Sequence, residues 1–539
     1  MPRGTQIIRG TEYVFESVSK WNAEKGYATH KRDYIGKMVE GVFVPNAKYK
    51  LKAALAEAQA SPRRGPVPVT APGRLFCGAT ALFDSIGEKL GITEDLKSCF
   101  PDSWKQILSL AYFLILEDHN PLSRFTRWAR SHRHPFGEDI ASGRSNEVFG
   151  SIGEDVTQRF FLRQTQRRME TEYLAYDTTS ISSYSTMIKQ VRYGKNTDHD
   201  YLPQLNLALF YGQSSRLPVC YRRLPGKIHD VTTVNTLLSE LAFLSVDKVQ
   251  LVMDRSFYSE DNINALYQHH YKFLIGVEKS LGLVQAALDE VRESMLSRAS
   301  YNSMFKINYH SRTIDWPYRE TRKRSGKTET GVRGLYLHLY FNGQKAVDDK
   351  AAFYDQLDLL EEELRSGKHD PEHESLYRKY YDVSSATVRG VEYVPREDAI
   401  DLAGRDYGYF ALISNDIMDP IEALKIYRTR ELIEKTFGNF KERLNMRRAS
   451  VSSEDYLEGK LFVQFVALMY LSYIGAAMND KGMFKDYTLH EVLDDLDVIE
   501  CFEHAGHAGH AGHASRLGEI TRKQQGLYAL LGVEVPAWE

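Results

Sequence analysis

Cysteine is scarce in this sequence, and neither sign of charge predominates. Only four cysteines occur in 539 residues: Cys77, Cys99, Cys220 and Cys501. They lie far apart and form no CxxC pair, so neither a zinc knuckle nor a disulfide framework is indicated. Reduced, buried thiols in a cytoplasmic protein are expected instead. Lys plus Arg number 69 against 72 Asp plus Glu, so bulk charge announces no polyanion, and any site for nucleic acid must come from local clustering. The opening MPRGTQIIRG lacks the apolar run of a signal peptide. Long hydrophobic runs are nearly missing too. One, LFVQFVALMYLSYIGAAM at 461–478, approaches the length that spans a bilayer, but Gln464 interrupts it and Lys460 and Asp480 flank it. A buried helix in a large core is expected there, with no membrane contact.

What is present describes an ordinary globular chain, 42% hydrophobic and 26% charged, long enough for two to four domains. Residues 1–60 read as a small β-containing module, and SPRRGPVPVTAPGR (61–74) as a linker. From 75 to 170 the spacing is helical. ALFDSIGEKLGITEDLKSCF breaks at Gly91 in a pattern compatible with helix-turn-helix or with a generic helical bundle. Arginines at 124, 127, 130 and 133, and at 159, 163, 167 and 168, stand beside Phe125, Trp128 and Phe160. They suit a phosphate backbone and equally a solvated helix face.

The next region carries the chemistry. EYLAYDTTSIS reads as a strand ending near Asp177; QLNLALFYG and LPVCYRRL are two more strands. HDVTTVNTLLSELAFL is a helix with Asp230 as N-cap, VQLVMDRSF a buried strand running into Asp254, and YKFLIGVE a further strand after one more helix. An open mixed sheet brings such strand ends to one crevice. Residues 278–405 interrupt this rhythm and read as an insertion within one catalytic domain. After it comes IYRTRELIEKTFGNFK (426–441). At about 100° per residue, its Tyr427, Arg430, Glu434 and Lys441 fall within roughly 60° of one another, beside an apolar stripe. Such charges suit a solvated face with i,i+4 pairs as well as a ligand-facing edge. Three carboxylates converging there, from Asp177, Asp254 and Glu434, would form an oxygen-rich site suited to Mg²⁺ or Mn²⁺.

YDTTS with Asp177, MDRSFYS with Asp254, and the Tyr427–Arg430–Glu434–Lys441 spacing of 3, 4 and 7 resemble the DDE-class insertion-sequence transposases that carry a Y-R-E-K signature. The resemblance implies an α/β fold: a ribonuclease-H-like mixed sheet at 171–277 and 406–480, interrupted by an insertion domain at 278–405. A helical DNA-binding region at 75–170 and the N-terminal β module precede it, and 481–539 forms a C-terminal region. It implies metal-dependent cut-and-paste transposition, with Asp177, Asp254 and Glu434 holding two Mg²⁺ (or Mn²⁺) ions. Tyr427, Arg430 and Lys441 would hold phosphates of the transposon end. Relatives pass through a hairpin with a flipped base stacked on an aromatic, for which Trp316 is the best candidate here, flanked by Arg322 and Lys323; a partly buried core tryptophan is the other reading of that residue. Double-stranded DNA, as terminal inverted repeats and as target, is the implied partner. The implied assembly is a homodimer in a synaptic complex, cytoplasmic and nucleoid-associated. The second motif often reads Asp-Arg-Gly-Phe in the family, whereas Ser256 stands here; if the position needs a positive φ, serine strains it. A nuclease of the same core and a catalytically inactive DNA binder are the alternatives. The HAGHAGHAGHA tract (504–514) reads as a flexible low-complexity insertion without assigned function.

Overall fold

In a computed structural model the chain forms two units, Met1–Pro72 and Gly73–Glu539. The structure describes residues 3–8, 10–22, 27–39, 41–50, 73–117, 120–168, 173–183, 204–225, 234, 238, 250–321, 328–368, 370–386, 390–444, 448–449, 454–503 and 515–537. The histidine-rich tract and most of the segment expected as a helix after Asp230 lie outside these residues. The first unit is an antiparallel meander of β1 (Arg3–Ile8), β2 (Thr11–Asn22), β3 (Tyr27–Val39) and β4 (Val42–Pro45). Gly10 and Gly41 turn the chain between strands at φ of +80° and +81°, where a Cβ would be strained.

The second unit opens with β5 (Gly73–Phe76) and six helices: α1 (Gly78–Lys89), α2 (Ile92–Cys99), α3 (Trp104–Leu116), α4 (Phe125–Ala129), α5 (Ser142–Ser151) and α6 (Glu154–Gln166). Gly91, at φ +69°, makes the break between α1 and α2. The guanidinium of Arg167 lies over it, so that a Cβ there would stand 2.5 Å from Arg167 Cζ. Arg167 donates from Nε and Nη2 to both oxygens of the fully buried Asp95, at 2.8 and 2.9 Å. Arg163 pairs with the same carboxylate at 3.5 Å, and Arg168 donates to Gln164 Oε1 at 2.6 Å. Half of the second arginine cluster therefore ties α6 to its neighbours. Phe125, Trp128 and Phe160 are core residues.

The main sheet is built from β6 (Tyr173–Ser183), β7 (Gln204–Gly212), β8 (Leu217–Pro225), β9 (Gln250–Met253), β10 (Lys272–Val277), β11 (Tyr301–Asn302), β12 (Ile307–Thr321), β13 (Thr328–Phe341), β16 (Tyr409–Ser414) and the short β17 (Arg448–Ala449). A separate hairpin, β14 (Tyr381–Ala386) and β15 (Gly390–Pro395), intervenes in the chain. The sheet order is β11-β12-β13-β16-β10-β9-β6-β7-β8, with β17 beside β6. Its centre, β10-β9-β6, is parallel and its flanks antiparallel. Leu251, Val252, Met253, Leu274 and Ile275 are fully buried, as expected for central strands covered on both faces.

Segment 278–405 does not stand wholly apart. After α7 (Glu260–Gln268) and β10, α8 (Gly282–Met295) leads into the long β12–β13 hairpin, whose base pairs with β16 and widens the same sheet. Only α9 (Gly343–Ser366), α10 (Glu374–Tyr380), α11 (Glu397–Gly404) and the β14–β15 hairpin share a small core of their own, around Leu360, Leu364, Tyr377 and Tyr381.

Two helices follow β16: α12 (Pro420–Arg443) and α13 (Glu454–Asp480). The apolar run lies in α13, which is long and apolar enough to cross a membrane; its most apolar window is 78% buried inside the fold. The chain finishes with α14 (Leu489–Asp497), β18 (Glu500–Glu503), β19 (Ser515–Leu517) and α15 (Arg522–Leu530), the two strands pairing in the order β19-β18-β5.

Candidate active site

The register of the central strands brings two acids level. Tyr176 of β6 pairs with Met253 of the parallel β9, and the next residue on each strand is Asp177 and Asp254. Neighbouring strands lie about 4.8 Å apart. One correction follows for Asp177: its strand does not end there but runs on to Ser183, because β7 still supplies an antiparallel edge as far as Ser182. Asp177 sits where the parallel partner stops. Asp254 leaves β9 into a single turn of 3₁₀ helix, Arg255–Phe257. Ser256 lies in that turn and is not among the residues of positive φ, so serine is unstrained at this position.

Helix α12 reaches this point from the far side of β16. Its entry is fixed by Asp419, whose Oδ1 accepts from the N–H groups of Ile421 and Glu422 at 2.7 and 2.8 Å, a capping arrangement. The buried His338 holds the preceding loop: Nε2–H donates to the Ile417 carbonyl at 2.9 Å, and Ser311 Oγ lies 2.8 Å from Nδ1. Burial holds the His338 pKa below its ordinary value, which suits this neutral tautomer. Further along, Gln213 Nε2 donates to Ile426 O at 3.1 Å, and Gln464 Nε2 of α13 donates to Leu444 O at 2.7 Å, just past the helix end. The polar residue that interrupts the apolar run is thus the partner of a buried carbonyl.

So held, α12 directs two side chains at Asp254. The Tyr427 hydroxyl donates to Asp254 Oδ1 at 3.0 Å, and Arg430 Nη2 donates to the same oxygen at 3.4 Å. Arg430 is 4% exposed and its guanidinium lies 5.1 Å from the Tyr427 ring centroid. A cleft of about 1130 Å³ opens on Asp254, lined also by Arg255, Lys279, Asn342, Lys345 and Arg428. Its far wall carries Phe353 and Tyr407; burial pushes the Tyr407 phenol up to about 12. Cations and hydrogen-bond donors thus surround an acidic floor, an arrangement able to hold an anion against carboxylates that themselves suit a hard divalent cation.

Glu434 lies in α12, one turn beyond Arg430, and Lys441 two turns further, but the side chains of both lie outside the described residues. Arg322 and Lys323 also fall outside them. Trp316 is 4% exposed and donates its indole N–H to Asn264 Oδ1 at 3.0 Å. Of the two readings of Trp316, its ring has the surroundings of a core residue within the β12–β13 hairpin, whereas stacking on a base needs an open ring face. Sequence reading missed Gly276, His338, Gln213 and Lys279; only Gly276, a glycine within an apolar strand, carried a signal. Among the described residues, one group of His, Asp and Glu side chains has its ligand atoms within 4.8 Å of one another: Glu363, Asp370 and His373. It lies between α9 and α10, where His373 and Tyr377 both hydrogen-bond to Glu363.

Residues 168–470 match the family model for the transposase DDE domain. No curated protein matches the chain. Among solved structures, similarity is found to a cryo-EM structure of the piggyBac transposase synaptic complex with hairpin DNA, at 12% identity and a TM-score of 0.34, covering 83% of this chain and 75% of that one. Since the family match takes in more than half of its 539 residues, the chain belongs to the transposase DDE domain family.

Proposed function

We propose that this transposase excises and reinserts an insertion sequence by cut-and-paste transposition. The single observation that carries the reading is the level placement of Asp177 and Asp254, with Tyr427 and Arg430 of α12 converging on Asp254. In this reading Asp177, Asp254 and Glu434 hold two Mg²⁺ ions, or Mn²⁺. The oxygen-only donor set fits such cations. Ions held by these residues would supply charge stabilisation for phosphodiester cleavage and joining. The chain's own residues do the positioning. Tyr427 and Arg430 orient Asp254, and the cleft cations Lys279, Lys345 and Arg428 draw in the DNA backbone. Lys441 contacts phosphates of the transposon end, as do Tyr427 and Arg430 once DNA engages the helix edge. The partners are terminal inverted repeats and target DNA, bound by a homodimer at paired ends on the nucleoid, with a hairpin formed at each excised end.

The test is cleavage of DNA carrying both flanks of the protein's own gene, comparing wild type with Asp254→Ala, in Mg²⁺ and in chelator. Metal-dependent cuts at two flanking ends, absent in the variant, are expected, and hairpin-capped ends would identify the excision route. Cuts that persist in Asp254→Ala would remove this residue from the site, and binding without cuts would leave a DNA-binding protein only.

A further inference from the structure

We infer that Gly276 is a positioning residue, whose missing side chain seats the Tyr427 hydroxyl against Asp254 and so fixes the carboxylate that receives the cation. The inference rests on the reading of Asp254 as a cation ligand. Strand β10 is apolar and central: Phe273, Leu274, Ile275 and Val277 are all buried. A glycine in such a strand weakens it and commonly marks a close approach by another group. Here that group is visible. Ile275 pairs with Met253 in parallel register, which sets Gly276 beside Asp254. A Cβ on Gly276 would stand 2.5 Å from Tyr427 Oη, 3.2 Å from Tyr427 Cζ and 3.2 Å from the Arg255 backbone nitrogen. A contact of 2.5 Å must relax, and the phenol is the part that can move. Moving it breaks the 3.0 Å bond to Asp254 Oδ1. It also disturbs Arg430, whose guanidinium rests on the same ring while donating to the same oxygen. One absent methyl group therefore governs both donors that orient Asp254. Partners that orient a metal ligand typically influence affinity 10–100-fold.

The experiment is Mn²⁺ titration of the full chain without DNA, followed by electron paramagnetic resonance, on wild type, Gly276→Ala, Tyr427→Phe, the double variant and Asp254→Asn. Tyr427→Phe and Gly276→Ala should each weaken Mn²⁺ binding about tenfold. The double variant should match Tyr427→Phe alone, because removing the hydroxyl relieves the 2.5 Å contact. Wild-type affinity in Tyr427→Phe would overturn the inference. So would a further loss when Gly276→Ala is added to it, since the effect would then run through the 3.2 Å contacts with the Tyr427 ring or the Arg255 backbone and not through the hydroxyl. Asp254→Asn should abolish the binding that the other variants weaken. Unchanged Mn²⁺ binding in Asp254→Asn would overturn the cation-ligand reading itself, an outcome distinct from a silent Tyr427→Phe.

Discussion

Replacing Gln464 by leucine tests what holds the helix that carries Glu434. Gln464 is 2% exposed, and its amide is the donor to the Leu444 carbonyl at 2.7 Å, next to a fully buried Leu444 side chain. Leucine keeps the volume and the helical preference of α13 but removes the donor. A buried carbonyl left unpaired costs about 1–3 kcal/mol, and better apolar burial of leucine recovers about 1 kcal/mol. The net loss of up to about 2 kcal/mol should fall on the end of α12, whose beginning is secured separately by Asp419. In a unit this large such a loss barely moves the melting temperature, so the measurement has to be local. Amide hydrogen exchange in the last turn of α12 should quicken by roughly tenfold, the factor that corresponds to about 1.4 kcal/mol, while the first turn exchanges as in wild type. Equal exchange at both ends would show that the carbonyl finds another partner. Uniformly faster exchange through α13 would show that Gln464 serves the core in general.

Two further outcomes are expected. Glu434→Gln should abolish cleavage yet retain end binding in a mobility-shift assay, and retained cleavage would remove Glu434 from the cation site. Burial lowers the pKa of His134 from 6.5 to about 4. Above pH 6.5 the side chain is neutral folded or unfolded; as pH falls from 6.5 to 4 only the unfolded chain takes up the proton, so stability is lost across that window. The full loss is about 3 kcal/mol, and melting profiles of wild type and His134→Asn should converge toward pH 4 if the assignment holds.

The legible part of the site was what strand and helix periodicity can encode. Asp177 and Asp254 follow apolar runs, and the spacing of Tyr427 and Arg430 places them on one edge, so their approach to the same region could be read from the chain. Partners distant in sequence could not. Arg167 looked like a phosphate contact because nothing local shows Asp95, 72 residues earlier, as its acceptor. Trp316 stayed open between a stacking platform and a core residue because Asn264, which takes its N–H, lies 52 residues earlier on α7. The strand continuing past Asp177 was misjudged because its extra pairing comes from β7, on the side away from β9. The share of 278–405 that joins the main sheet was hidden for a similar reason: the pairing of β13 with β16 joins segments separated by the whole α9–α11 excursion.

The β12–β13 hairpin sets a length scale. His338 of β13 pairs with Leu412 of β16, which in turn pairs with Gly276, the residue beside Asp254. The hairpin's outer end at Thr328 stands ten residues from His338 along β13, toward the N-terminal side of β10 and away from the acids. At about 3.3 Å per residue this is roughly 33 Å, close to one helical turn of B-form DNA at about 34 Å. A duplex touching both the hairpin's outer end and the acids would meet the protein on the same side of its own helix, so an insertion or deletion of half a turn between the two contacts would turn one of them away.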